Sequence, residues 1–146
     1  MKTPDNRERP VRSDCSNKSL PTCPFCRLDA TIELIRESDT AFAIFDKYPV
    51  SPGHVLVIPR RHCASYFELT AGEQAACWEM LSDVEVIIRE RFNPDGFNVG
   101  INIGRTAGQT VDHVHLHLIP RYDGDVDEPE GGVRGVIPRK RIYKKS

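Results

Sequence analysis

Residues 113–119 read His-Val-His-Leu-His-Leu-Ile and stop at Pro120. Side chains alternate across a β-strand, so every second residue faces the same way, about 6.6–6.8 Å from the next. On a strand, His113, His115 and His117 line one face while Val114, Leu116 and Leu118 line the other. The chain has only five histidines, too few for three to alternate strictly by accident on a solvated edge. The segment demands a sheet with one apolar face to bury and one face dense in imidazole.

The rest of the chain supplies partners for that strand. Thr31–Ile35 and Ala41–Phe45 read as strands joined by a turn at residues 37–40, and His54–Ile58 as an apolar strand stopped by Pro59. Thr70 and Glu73 match a capping box. Trp78, Leu81, Val84 and Ile88 then recur at helical spacing until Asn93-Pro94-Asp95-Gly96, which predicts one amphipathic helix of about twenty residues. Phe97–Ile103 and Val111–Ile119 complete about five strands. Hairpin-like strands with one principal helix predict an α+β domain built on an antiparallel sheet.

The length of 146 residues bounds this to one domain that can bury a core without disulfides. We read residues 1–20 as a disordered extension, 21–122 as the domain, and 123–146 as a tail with an acidic run followed by a basic end. Twenty Lys and Arg against 21 Asp and Glu argue against a general nucleic-acid binder, which needs a basic surplus to displace counterions. With no membrane-length apolar run and no signal-like segment, a cytoplasmic domain is expected. In such a chain Cys23-Pro24-Phe25-Cys26 points to metal or redox chemistry before a disulfide framework. Cys15, Cys63 and Cys77 read as free structural thiols.

Two chemistries suit the histidine face. One is a metal centre of the His-x-His kind, for which a carboxylate partner is missing among the histidines; Asp112 falls on the opposite face. The other is nucleophilic attack on phosphorus by a neutral imidazole. The loop before the strand favours the second. Gly104 and Gly108 let backbone amides approach an anion, and Asn102, Gln109 and Thr110 offer neutral hydrogen bonds to phosphate oxygens. His54, after Pro52-Gly53, can reach the same face.

Gly108-Gln109-Thr110-Val111-Asp112 followed by the alternating histidines resembles the signature of the histidine triad superfamily of nucleotide hydrolases and transferases. Residues 51–60, Ser-Pro-Gly-His-Val-Leu-Val-Ile-Pro-Arg, are similar to that family's upstream motif. The resemblance implies a nucleotidyl-histidine intermediate on His115, with His117 assisting the leaving group and His113 and His54 supporting the imidazole network. It further implies Asp46 on the ribose hydroxyls, phosphate contacts from Asn102, Gly108, Gln109 and Thr110, a purine nucleotide or dinucleotide substrate, no organic cofactor, and a homodimer. Bacterial-type members bind structural zinc through a Cys-x-x-Cys pair and two histidines, here Cys23, Cys26, His62 and His113. A metal-free pair and a redox pair are the alternatives for the two cysteines.

The leaving group stays open between phosphoramidate and phosphoanhydride, the latter including dinucleoside polyphosphates such as diadenosine tetraphosphate. Residues 131–138 resemble a stretch of some bacterial members, and the tryptophan-containing C-terminus of the phosphoramidase branch is lacking; the single tryptophan is Trp78. A nucleotide-binding adaptor with negligible turnover is the reading from a different class.

Overall fold

The computed structural model describes residues 19–143. Most of the expected N-terminal extension therefore lies outside the described residues, as does Cys15. Five strands, β1 (Leu34–Glu37), β2 (Ala41–Phe45), β3 (Val55–Pro59), β4 (Gly96–Ile101) and β5 (Leu116–Arg121), form one antiparallel sheet in the order β1-β2-β3-β5-β4. One long helix, α1 (Ala71–Phe92), crosses one face of the sheet. This is the expected α+β architecture. Among the described residues no helix is long and apolar enough to cross a membrane.

Composition of the strands explains why the sheet has two apolar faces. Ala41, Ala43, Val55, Val57, Leu116 and Leu118 pack against Cys77, Met80, Val84 and Ile88 of α1. Phe42, Ile44, Leu56 and Ile58 point the other way and are covered by Phe25 and Leu28. Every residue of β3 is buried, as a central strand with both faces covered requires. The second apolar face is the floor of the site described below.

Several boundaries differ from the sequence reading, each for a local reason. Asp29 accepts hydrogen bonds from the backbone and hydroxyl of Thr31, at 2.8 and 2.7 Å, so residues 29–32 form a turn and β1 starts later than Thr31. The helix has its capping box, Thr70 with Glu73, and ends at Asn93 with φ 48°. Its buried stripe is shifted, however. Trp78 is 42% exposed and donates its indole N–H to the Tyr66 hydroxyl at 3.0 Å, while Cys77 and Met80 take the inward positions. Cys77 is a free buried thiol whose pKa is pushed up to about 11 by burial. Cys63 is disulfide-bonded, correcting the free-thiol reading.

β5 begins only at Leu116, so His113 and His115 precede the ladder. There the Val114 amide donates instead to the Cys63 carbonyl at 2.7 Å. The tail is also more structured than a solvated run. It makes short 3-10 turns at Gly132–Val136 and Pro138–Lys140, with the Arg134 guanidinium on the carbonyls of Lys140 and Arg141.

Gly53 sets the entry of β3. Its φ is +85°, and an added Cβ would lie 3.0 Å from Phe92 Cδ2 and 3.3 Å from Ile88 Cγ2. Backbone strain and overpacking act together here. Gly53→Ala is expected to destabilise by about 2–4 kcal/mol, a fall of roughly 5–12 °C in Tm that thermal unfolding would read.

Candidate active site

Two backbone carbonyls and one backbone amide organise the histidines. Each imidazole is bonded on one side by a group that dictates where its proton sits. His115 Nδ1 lies 2.9 Å from the His113 carbonyl, so Nδ1 carries the proton and Nε2 is bare. His113 Nε2 donates to the Pro59 carbonyl at 2.7 Å, which leaves His113 Nδ1 bare. The Val50 amide donates to His54 Nδ1 at 3.2 Å, so the His54 proton is on Nε2. From there it is donated to His117 Nδ1 at 2.9 Å, which puts the His117 proton on Nε2. His117 Nε2 is buried and has no hydrogen-bond partner.

The rings of His54, His117 and His115 form a file, with His113 and His62 as a separate pair. The centroids of His115 and His117 are 5.0 Å apart and those of His54 and His117 5.2 Å apart, while His113 meets His62 at 5.0 Å. Pairing fixes this arrangement: His117 lies opposite Leu56 in the β3–β5 ladder, and His54 precedes β3 on the same side. Burial, followed by the neighbouring His115 and His54, pushes His117 down from its ordinary 6.5 to about 4. Burial likewise lowers His54, against the opposing charge of Asp46. Both rings are therefore neutral at pH 7.

The sign for stability follows directly. The unfolded chain takes a proton at His117 near pH 6.5, and the folded chain resists until about 4. The stabilisation is complete above pH 6.5 and is lost as pH falls toward 4. Tm is expected to drop between pH 7 and pH 5, and His117→Asn should flatten that slope in thermal melts across the range. A slope unchanged in the variant would assign it to other groups.

A cavity of about 630 Å³ opens on this file. His115, His117, Asp46, Asn102, Gly108 and Thr110 line it, as does an apolar wall of Phe25, Leu28, Ile32, Ile44 and Leu56. Asp46 Oδ1 accepts the Tyr48 amide at 2.9 Å, and its Oδ2 lies 3.5 Å from His54 Nε2. Gln109 departs from the phosphate-contact expectation. Its side-chain NH2 donates to the carbonyls of Ala64 and Val111, and its oxygen accepts the Gly104 amide, so it braces the loop from behind. The apolar wall was missed from sequence. Its signal was present in Ala41–Phe45 and Val55–Pro59, which are apolar at every position and so have two faces to cover.

Beside the file, Cys23, Cys26, His62 and His113 converge with all ligand atoms within 4.8 Å of one another. Cys23 Sγ is 3.4 Å and Cys26 Sγ 3.6 Å from His113 Nδ1, and Cys26 Sγ is 3.2 Å from His62 Nδ1. A tetrahedral ion with bonds of ~2.3 Å to sulfur and ~2.05 Å to nitrogen has S···N edges of about 3.5 Å. The His113 lone pair faces the thiols while its other nitrogen is held by a carbonyl, the arrangement usual for ligating histidine. The four residues can thus hold a metal ion. Asp46, His54 and His117 also converge, but the proton on His54 Nε2 builds that trio as a hydrogen-bond relay.

Comparison with known proteins agrees with this geometry. The HIT domain model matches residues 27–124, a span that begins immediately after Cys26. The chain is 30% identical over 125 residues to an AP-4-A phosphorylase of Mycobacterium tuberculosis, covering 82% of this chain and 64% of that protein. It is 39% identical over 95 residues to a bis(5'-adenosyl)-triphosphatase of Dictyostelium discoideum, covering 65% and 64% respectively. The chain thus spans a little under two thirds of the length of these relatives. Among solved structures, a Zn-bound histidine triad family protein from Mycobacterium smegmatis superposes with a TM-score of 0.66 at 35% identity, over 71% of this chain and 78% of that one. With a family model matched over well more than half of its length, the chain belongs to the HIT family.

Proposed function

We propose that the protein cleaves a phosphoanhydride bond at the α-phosphate of a nucleotide through a nucleotidyl intermediate on His115, with dinucleoside polyphosphates as the preferred substrate class. One observation carries the reading. The carbonyl-held Nδ1–H of His115 leaves its Nε2 lone pair bare, beside the unpartnered Nε2–H of His117, in a cavity of nucleotide size.

The chemistry balances with these groups. The Nε2 lone pair of His115 attacks phosphorus, an Nε2–P bond forms, and the bond to the bridging oxygen breaks with its electrons leaving on the released phosphate. The His113 carbonyl stabilises the cationic ring through Nδ1–H. Neutral at pH 7, His117 donates a hydrogen bond to phosphate oxygens and keeps its proton. Water then attacks phosphorus, the P–N bond breaks with its electrons returning to Nε2, the proton from water passes to solvent, and the nucleoside monophosphate departs. The apolar wall holds the face of a purine, Asp46 meets the ribose, and Asn102, Thr110 and the Gly108 backbone meet phosphate.

Low basicity of the leaving group follows from the same electrostatics. A phosphate leaves as an anion and needs no proton, whereas an amine needs an acid that a neutral His117 does not supply. The polyphosphate names of the relatives support this choice. We further propose zinc in the Cys23–Cys26–His62–His113 site; two thiolates and two imidazoles favour it. Held by all four residues, zinc would have its charge offset by the two thiolates and would serve to tie residues 23–26 to His62 and His113 rather than to activate water.

Hydrolysis of diadenosine tetraphosphate and of an adenylyl phosphoramidate, followed side by side, tests the substrate class. The expected kcat/KM is at least tenfold higher for the tetraphosphate. Faster phosphoramidate cleavage would reverse the assignment, and no cleavage of either would leave a binding protein.

A further inference from the structure

The Cys-x-x-Cys loop carries a residue that touches more than the metal cluster. Phe25 sits between Cys23 and Cys26, and its ring centroid lies 5.9 Å from that of His113 and 5.1 Å from that of His115 in edge-type contacts, with interplanar angles of 81° and 67°. It also lines the cavity and packs with Leu28 on the apolar face of the sheet. His113, fully buried, turns Nδ1 toward the thiols of the cluster, and its own carbonyl holds the His115 proton. His115 is therefore gripped from both sides by residues of the cluster and its loop. One grip is the main chain of a ligand residue, and the other is the aromatic ring between two ligands.

We propose that Phe25 is a positioning residue that couples the Cys23–Cys26 metal loop to the reactive imidazole of His115. Its inference rests on His115 as the nucleophile and on zinc in the adjacent site. A ring with one hydrogen bond can still rotate until that bond weakens, which frees its proton to exchange between the two nitrogens and swings the reactive nitrogen off line. An aromatic edge packed at 5.1 Å removes that freedom. Metal binding then does more than hold the fold together. By fixing residues 23–26 it sets where Phe25 presses, and by fixing the His113 ring it sets the carbonyl that selects the His115 tautomer. The cavity wall and the nucleophile are ordered by the same loop.

The test uses zinc-loaded, ligand-free protein, with imidazole nitrogens read by long-range proton–nitrogen NMR. In the wild type His115 is expected as a single Nδ1–H tautomer. Phe25→Ala should keep one zinc per chain, convert His115 to a tautomer mixture, lower kcat roughly 10- to 100-fold, and raise KM because the wall is also cut. Phe25→Tyr, which retains the ring edge, should restore the single tautomer and most of kcat. Chelated wild type that remains folded should show the same mixture as Phe25→Ala. An unchanged His115 spectrum in Phe25→Ala would overturn the proposal, as would loss of zinc by that variant, which would assign Phe25 to the metal site alone. The tautomer reading needs no substrate, so it stands or falls separately from the proposed activity.

Discussion

His115→Ala is expected to lower turnover of diadenosine tetraphosphate by about 10⁴-fold or more, with folding and metal content unchanged. The magnitude reflects the loss of a covalent pathway rather than of one contact, since among the described residues only His115 and His117 of the imidazoles line the cavity, and His117 turns Nε2–H toward it. His113 directs its free nitrogen at the thiols, and both nitrogens of His54 are engaged. A rapid quench with α-phosphate-labelled substrate should trap label on the wild-type chain as an acid-labile adduct and none on the variant. His117→Ala should still be labelled, more slowly by roughly 10²-fold, because it removes a hydrogen-bond donor and leaves the nucleophile. Full activity in His115→Ala would end the proposed mechanism. Equal labelling of wild type and variant would move the nucleophile elsewhere.

Metal removal has the second large effect expected. A metal held by Cys23, Cys26, His62 and His113 would join the loop at residues 23–26 to residues 62 and 113, and the two cysteines are far in sequence from both histidines. Structural zinc in small domains contributes on the order of 10 kcal/mol in isolation. Here the sheet and α1 have their own core, so the share at risk is the loop and the apolar face it covers. Chelation, or Cys26→Ser, is expected to lower Tm by about 10–20 °C, and native protein should contain one zinc per chain. Thermal melts with and without chelator, beside metal analysis, give the answer. Zinc well below one per chain in native protein, or a Tm indifferent to chelator, would remove the site.

Much of the fold is written in local pattern. The capping box at Thr70 and Glu73 and the stop at Asn93 place α1 because both act within one turn of the helix. Where the sequence reading slipped, a specific hydrogen bond competed with the expected pattern. Trp78 fits the apolar spacing, yet a hydrogen bond to Tyr66 holds its indole at the surface. Thr31 has strand propensity, but Asp29 captures it in a turn. Gln109 sits beside a phosphate-like loop, and its amide is taken by Ala64, 45 residues away.

Alternation and spacing by themselves led to the expectation that His115 and His117 share a side with His54 near them, and the rings do meet. The set of Cys23, Cys26, His62 and His113 came from the resemblance, and only the fold brings those four together. Which nitrogen of each imidazole is free was decided only by the tertiary structure. That choice depends on the Pro59 and His113 carbonyls and the Val50 amide, whose positions come from the packing of β3 against β5 and from the extended run before β5. A histidine in a sequence has two equivalent chances to carry its proton. The folded backbone removes one of them, and the difference separates a nucleophile from a ligand and a hydrogen-bond donor.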